Sequence, residues 1–194
     1  MTSIGIGDSV SLALLLPEWH DRRVVAPSLR TNRLVMLPLS TADLDEAAAM
    51  LGDPRVMRYV DGGTRDRANT TRALEANERC RAANGWGLWA VRDVTSGAFV
   101  GQAGLQLVTE IHGAMAEFSI IISRRSWGTG VATEAGHAIV FDAWQRYSGS
   151  EIHAVVHPDD PASGPLLRKL GFRLQDEGLI GGEMVQVWHI QRLG

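Results

Sequence analysis

The tightest constraint on this chain is a change of hydrophobic period across a pair of glycines. Residues 116–123 read AEFSIIIS, a β-like run, and Gly128 stands five positions beyond it. Gly128-Thr129-Gly130 then opens residues 131–144, VATEAGHAIVFDAW, a long and mostly apolar helical segment. Strand, glycine loop and helix must therefore follow one another directly. The first turn of such a helix leaves N–H groups unpaired and pointing back at the loop. The helix dipole adds partial positive charge at the same end. An anion placed there accepts backbone hydrogen bonds without needing a lysine, and glycines let it approach without meeting a Cβ. Arg125 to Gly130 spell R-x-x-G-x-G, so Arg125 can add a full charge. A plain strand-to-helix turn that only needs positive φ would carry the same glycines.

The rest of the chain sets the context. Residues 31–39 alternate and read as a strand, Ser40 to Asp43 supply capping residues, and 44–51 read as a helix. A polar helix with a thin apolar face spans 67–83. Residues 87–92, 98–108 and 116–123 are strand-like with hairpin-length connections, which predicts an antiparallel meander. After the helix over 131–144 come a strand at 151–156, a helix at 161–170 with Pro165 in its first turn, and strands at 172–175 and 184–190. GTGVAT partly mimics a dinucleotide-binding G-x-G-x-x-G. The threonine at 133, the distance from the strand and the antiparallel strands before it argue against that fold and against an oxidoreductase.

Composition excludes other classes. The 194 residues, 45% hydrophobic and 21% charged, suit one domain, residues 29–194, with an N-terminal extension over 1–28. A formal net charge of -3 gives no basic field for nucleic acid. The apolar run at 9–17 is too short to span a bilayer and lacks the basic flank of a signal peptide. Cys80 is the single cysteine, so no intrachain disulfide forms and a cytoplasmic location is expected. The extension packs on the domain or on a partner subunit in this reading, which leaves room for a homodimer.

AEFSIIISRRSWGTGVATEAGHAIVFDAW together with SGPLLRKLGFR resembles the GNAT superfamily of acetyl-CoA-dependent N-acetyltransferases. The resemblance runs from Leu29 to Gln191 and is greatest to the branch containing the ribosomal-protein alanine N-acetyltransferases. It implies a mixed α/β (α+β) fold of the acyl-CoA N-acyltransferase type, with a mostly antiparallel central sheet flanked by helices.

The resemblance also implies a site. Arg125, Trp127, Gly128, Thr129, Gly130, Val131 and Ala132 would meet the coenzyme A diphosphate, and the backbone of Ile120, Ile121 and Ile122 would pair with its amide arm. An N–H near Ile120 would face the thioester oxygen. Glu117, at the family's common A-E position, would take a proton from the amine or hold it; an ordinary strand glutamate has the same sequence. Ser163 matches the family's serine proton donor, or else caps its helix. Asp160 stands where the family usually has asparagine, and an ionised aspartate can only accept. Transfer would be direct, to a primary amine that is a protein N-terminus or a small molecule, with no metal. A non-catalytic GNAT-like module that binds coenzyme A as a regulator is the alternative.

Other residues read more plainly. His153 and His157 share a strand face but stand about 13 Å apart, too far for one ion. His137 is expected to pack within its helix. Trp127 either walls the cofactor channel or anchors the helix. Trp86 and Trp89, three apart, are expected on opposite faces. Asp61, Asp66, Glu75 and Glu78 either border the acceptor pocket or form a solvated helix face.

Overall fold

A computed structural model describes residues 28–108 and 115–192. The expected extension, but for Ser28, and the turn at 109–114 lie outside the described residues.

The strand expected at 31–39 is a hairpin. β1 (Leu29–Arg30) turns through Thr31, whose N–H donates to the Leu34 carbonyl at 3.0 Å, into β2 (Leu34–Pro38). Polar Thr31, Asn32 and Arg33 make that turn, so alternation across it does not mean one strand. Ser40 and Asp43 form a reciprocal capping box before α1 (Leu44–Leu51). Asp66 caps α2 (Arg67–Asn84) by accepting from the Asn69 N–H at 2.6 Å. The predicted meander follows as β3 (Leu88–Asp93), β4 (Phe99–Val108) and β5 (Met115–Ile122), each antiparallel to the next. Then come α3 (Val131–Arg146), β6 (Glu151–Val156) and α4 (Ser163–Lys169). β7 (Arg173–Ile180) and β8 (Glu183–Gln191) close the chain. β7 is twice the expected length, because an edge strand tolerates the polar Gln175-Asp176-Glu177 that reads as its end.

The strands form one eight-stranded sheet in the order β1-β2-β3-β4-β5-β6-β8-β7. Among the described strands only β5 and β6 are parallel, joined by the α3 crossover. The fold is the mixed, mostly antiparallel one that the resemblance implies.

The sheet separates two cores. Strand alternation sends Trp89 and Val91 of β3, and Ala116, Phe118 and Ile122 of β5, toward α3 and α4. Ala90 of β3 and Ile121 of β5 go the other way, toward α1 and α2 with Met50, Leu51 and Leu74. A fully buried aliphatic such as Ile139, 1% exposed, contributes about 1.5–3 kcal/mol. Between α1 and β3, Arg92 pairs with buried Asp43 at 2.8 Å and with Glu46 at the rim. Burial alone would make Arg92 a weaker cation, but these carboxylates outweigh it and hold its proton more tightly.

Two packing expectations fail. Trp86 lies before β3 rather than in it, and it joins Trp89 in the same core. A tryptophan outside the strand does not follow the strand's alternation. His137 is exposed: α3 buries one stripe, including Val131, Ala135, Ile139 and Ala143, and leaves His137 and Phe141 to solvent. No described helix is long and apolar enough to cross a membrane.

Candidate active site

The glycine loop has the backbone that its sequence requires. Gly128 and Gly130 hold φ of 72° and 79°, a region that side chains with a Cβ rarely adopt. A Cβ at Gly128 would meet nothing within 4 Å, and one at Gly130 only the Arg33 Nη2 at 3.5 Å. Gly130 is the N-cap of α3 and no side chain caps that helix. The first N–H groups of α3, from Val131 and Ala132, therefore receive no side-chain cap from the Gly130 position. Thr129 steadies the turn by donating its hydroxyl to the Ser126 carbonyl at 2.7 Å. Trp127 is half exposed, and its indole N–H donates to the Ile122 carbonyl at 2.8 Å. The tryptophan is thus anchored to the end of β5 with one face in solvent.

Two arginines stand near the loop and are held differently. Arg125 donates to the Phe99 carbonyl and lines a cleft against α1 with Ala49, Met50 and Asp53. Arg33, which no local motif singles out, reaches the loop from the β1–β2 turn. Its Nη1 donates to the Thr129 carbonyl at 2.9 Å and its Nε to Glu134 at 2.6 Å. Glu134 also accepts from the Thr31 hydroxyl at 2.5 Å and from the Arg33 N–H at 3.0 Å. Partial burial would raise the Glu134 pKa, but these donors outweigh it and hold the carboxyl below its usual range. Arg33 and Glu134 are 101 positions apart, so nothing in the local sequence links them.

β5 and β6 then part. Their register records a single pair, Glu117 with His153, whereas β5 pairs with β4 and β6 with β8 along their whole described lengths. Ile120, Ile121 and Ile122 lie beyond that pair, with no β6 residue in register with them. The isoleucine side chains are packing groups: Ile120 and Ile122 serve one core and Ile121 the other. Glu117 projects from the face opposite Ala116 and Phe118, and the Gln106 amide donates to it at 3.4 Å. His153 shares that face, its ring 6.4 Å from that of His189 and tilted against it, with Glu151 at 3.5 Å from its Nε2. Burial pushes the His153 imidazole below its ordinary pKa; Glu151 opposes this and His189 adds to it.

On the far side of the gap, α4 begins at Ser163. Asp160 accepts from the Ala162 N–H at 3.0 Å and from the Ser163 hydroxyl at 2.5 Å. Ser163 is the first residue of the helix rather than its cap, Asp160 closes the turn before it, and the serine proton points at a carboxylate. Tyr59, from the connection between α1 and α2, packs its ring 5.5 Å from His157 just after β6. Of the acidic residues expected near an acceptor, Asp66 is spent as the α2 cap and Glu78 accepts from the Thr41 N–H at 2.8 Å; Asp61 and Glu75 are exposed. Cys80 lies 3.8 Å from the Trp86 carbonyl, in contact with the core. No group of metal-ligating side chains occurs among the described residues.

Comparison with known proteins agrees with this geometry. The model of the acetyltransferase (GNAT) domain matches residues 33–173. Over 163 residues, 82% of this chain and 89% of the relative, the chain is 27% identical to the uncharacterized N-acetyltransferase YoaA of Bacillus subtilis (strain 168). The structure of ribosomal-protein-S5-alanine acetyltransferase from Vibrio fischeri is similar with a TM-score of 0.71 at 15% identity, covering 85% of this chain and 96% of that one. Spermidine N-acetyltransferase from Vibrio cholerae, solved with CoA and spermine, is similar with a TM-score of 0.67 at 20% identity, covering 83% and 96%. The last two are likenesses of fold. From the hairpin that carries Arg33 to the start of β7, this chain belongs to the acetyltransferase (GNAT) family, and it is an N-acetyltransferase.

Proposed function

We propose that this chain transfers the acetyl group of acetyl-CoA to a primary amine by direct attack, with no acyl-enzyme. The observation that carries the reading is the parting of β5 and β6 after Glu117 and His153, next to an uncapped glycine loop. The residues present fit coenzyme A. A Cβ at Gly128 would stand in open space, which is room for a phosphate, and the α3 N–H groups supply its donors. Acetyl-CoA supplies an acetyl carbon activated as a thioester.

The chain's own residues do the rest. Gly128, Thr129, Gly130, Val131 and Ala132 hold the diphosphate, with Arg125 and Trp127 flanking it. The backbone from Ile120 to Ile122 pairs the amide arm as an added strand would. Its Ile122 carbonyl is shared with the Trp127 indole. An N–H near Ile120 takes the thioester oxygen, where charge builds during attack. Glu117 takes the amine proton, directly or through a water. Rotation about the Cβ–Oγ bond swings the Ser163 proton from Asp160 toward the leaving sulfur.

An acceptor α-amine, with a pKa of about 7.7–8.0, is partly neutral near neutrality and needs only one such base. A protein N-terminus meets that condition, whereas a small alkylamine, with a pKa of about 10, leans harder on the base; both acceptor classes occur in the names of structural neighbours. We place the reaction in the cytoplasm, where the lone Cys80 stays reduced, and keep a homodimer within the reading. Free-thiol release with acetyl-CoA and a panel of amines tests the proposal. Coenzyme A binding without thiol release for any amine would leave the non-catalytic module as the better account.

A further inference from the structure

We propose that Arg33 supplies the side-chain charge that grips a phosphate of coenzyme A at the glycine loop, a part that the sequence motif gives to Arg125. The inference rests on the reading of that loop as a diphosphate cradle.

Three observations point to it. The first is position. Arg33 Nη2 is the closest group to the space a Cβ would fill at Gly130, at 3.5 Å, and its Nη1 is bonded to the carbonyl of Thr129 in the same loop. The second is residual capacity. A guanidinium has five N–H donors. The contacts of Arg33 to Thr129 and to Glu134, through Nε, Nη1 and Nη2, use three of them. The remaining two belong to a side chain that is 51% exposed. Glu134 offsets part of this charge through Oε2, while its Oε1 is held by the Thr31 hydroxyl and the Arg33 N–H. It works as a brace that fixes the guanidinium plane. An arginine held in one plane loses little freedom when it meets a phosphate, and it can bind in the forked geometry that anion favours.

The third observation is the placement of Arg125. Its guanidinium is bonded to the Phe99 carbonyl and lines the cleft against α1, where Glu46 and Asp53 already stand. The cation beside Gly130 is instead Arg33, brought there by the β1–β2 turn.

The test is calorimetric binding of coenzyme A and dephospho-coenzyme A to the full chain and to Arg33→Gln. It is paired with the KM for S-acetylpantetheine, which has no phosphate. Arg33→Gln is expected to weaken coenzyme A binding about ten-fold, the loss typical of one charge-assisted contact. The KM for S-acetylpantetheine should stay within about two-fold of wild type. An equal loss with dephospho-coenzyme A assigns the diphosphate; a loss confined to coenzyme A assigns the 3′-phosphate. Arg125→Gln should lose less than Arg33→Gln. Unchanged coenzyme A affinity in Arg33→Gln, or an equal loss with the phosphate-free donor, would overturn the inference. If Arg33→Gln does not fold, Arg33→Lys, which keeps the charge but not the fork, should show the same pattern on a smaller scale. Failure of the wild-type chain to bind coenzyme A would instead remove the cradle reading itself.

Discussion

Glu117 on β5 and His153 on β6 are register partners, and among the described residues they are the one pair recorded between those strands. β5 and β6 are joined at that point, and no other pair between them is in register on either side of it among the described residues. A carboxyl at the fork of two strands sits where a cofactor arm entering the gap would end. That arrangement predicts that Glu117→Gln lowers kcat for an α-amine acceptor by about a hundred-fold. Coenzyme A affinity, measured by calorimetry, should stay within about two-fold. A hundred-fold loss of affinity instead would move Glu117 from the chemistry to the scaffold.

His153 makes the fold sensitive to mild acid. In the unfolded chain it takes a proton near pH 6.5, whereas burial in the fold lowers that pKa. At higher pH both states are neutral there and stability is at its full value. As pH falls below about 6.5, the unfolded chain gains a proton that the folded chain resists, and stability drops until the folded site also titrates. Glu117, Glu151 and His189 share its face; burial sets the effect, Glu151 opposes it and His189 adds to it. Urea midpoints from pH 7 to 5 should fall less steeply in His153→Gln than in wild type.

Gly130→Asp is expected to abolish coenzyme A binding in a folded protein. Aspartate tolerates the left-handed backbone better than most residues. Its carboxylate would lie beside Arg33 and over the α3 N–H groups, where a phosphate would sit. Circular dichroism should report a native spectrum while calorimetry reports no binding. Undiminished affinity in a folded variant would refute the cradle.

Asp160 and Ser163 give a gain-of-function test. With Asp160→Asn the side-chain carbonyl could still accept the Ala162 N–H, and the new amide could donate to the Ser163 oxygen, releasing the serine proton. Asp160→Asn should therefore raise kcat several-fold, and Ser163→Ala should cancel that rise. If the rise survives Ser163→Ala, the serine is not the proton donor.

The buried ion cluster behind β3 should dominate polar stability. Asp43→Asn leaves Arg92 short of a buried partner and is expected to cost about 3 kcal/mol. Glu46→Gln, at the solvent edge of the same cluster, should cost about 1 kcal/mol or less. Urea denaturation of both variants checks the ranking.

The sequence by itself determined much of this protein. Alternation in 116–123 and the helical run after Gly130 place a strand, a loop and a helix within a residue or two of β5 and α3. Both signals are local, since a strand shows its two faces every second residue and left-handed turns select glycine. The same locality caused the misses. Thr31 to Arg33 make a turn that alternation cannot show, and Trp86 precedes β3, so the period of that strand does not govern it. Tertiary structure decided which charges are bonded to the glycine loop. Arg33 meets Thr129 across 96 positions and Arg125 meets Phe99 across 26, so the motif's own arginine turns away while a distant one turns in. Side-chain direction at a loop depends on what the rest of the chain packs beside it. That information is spread over the fold and is carried by no single stretch of sequence.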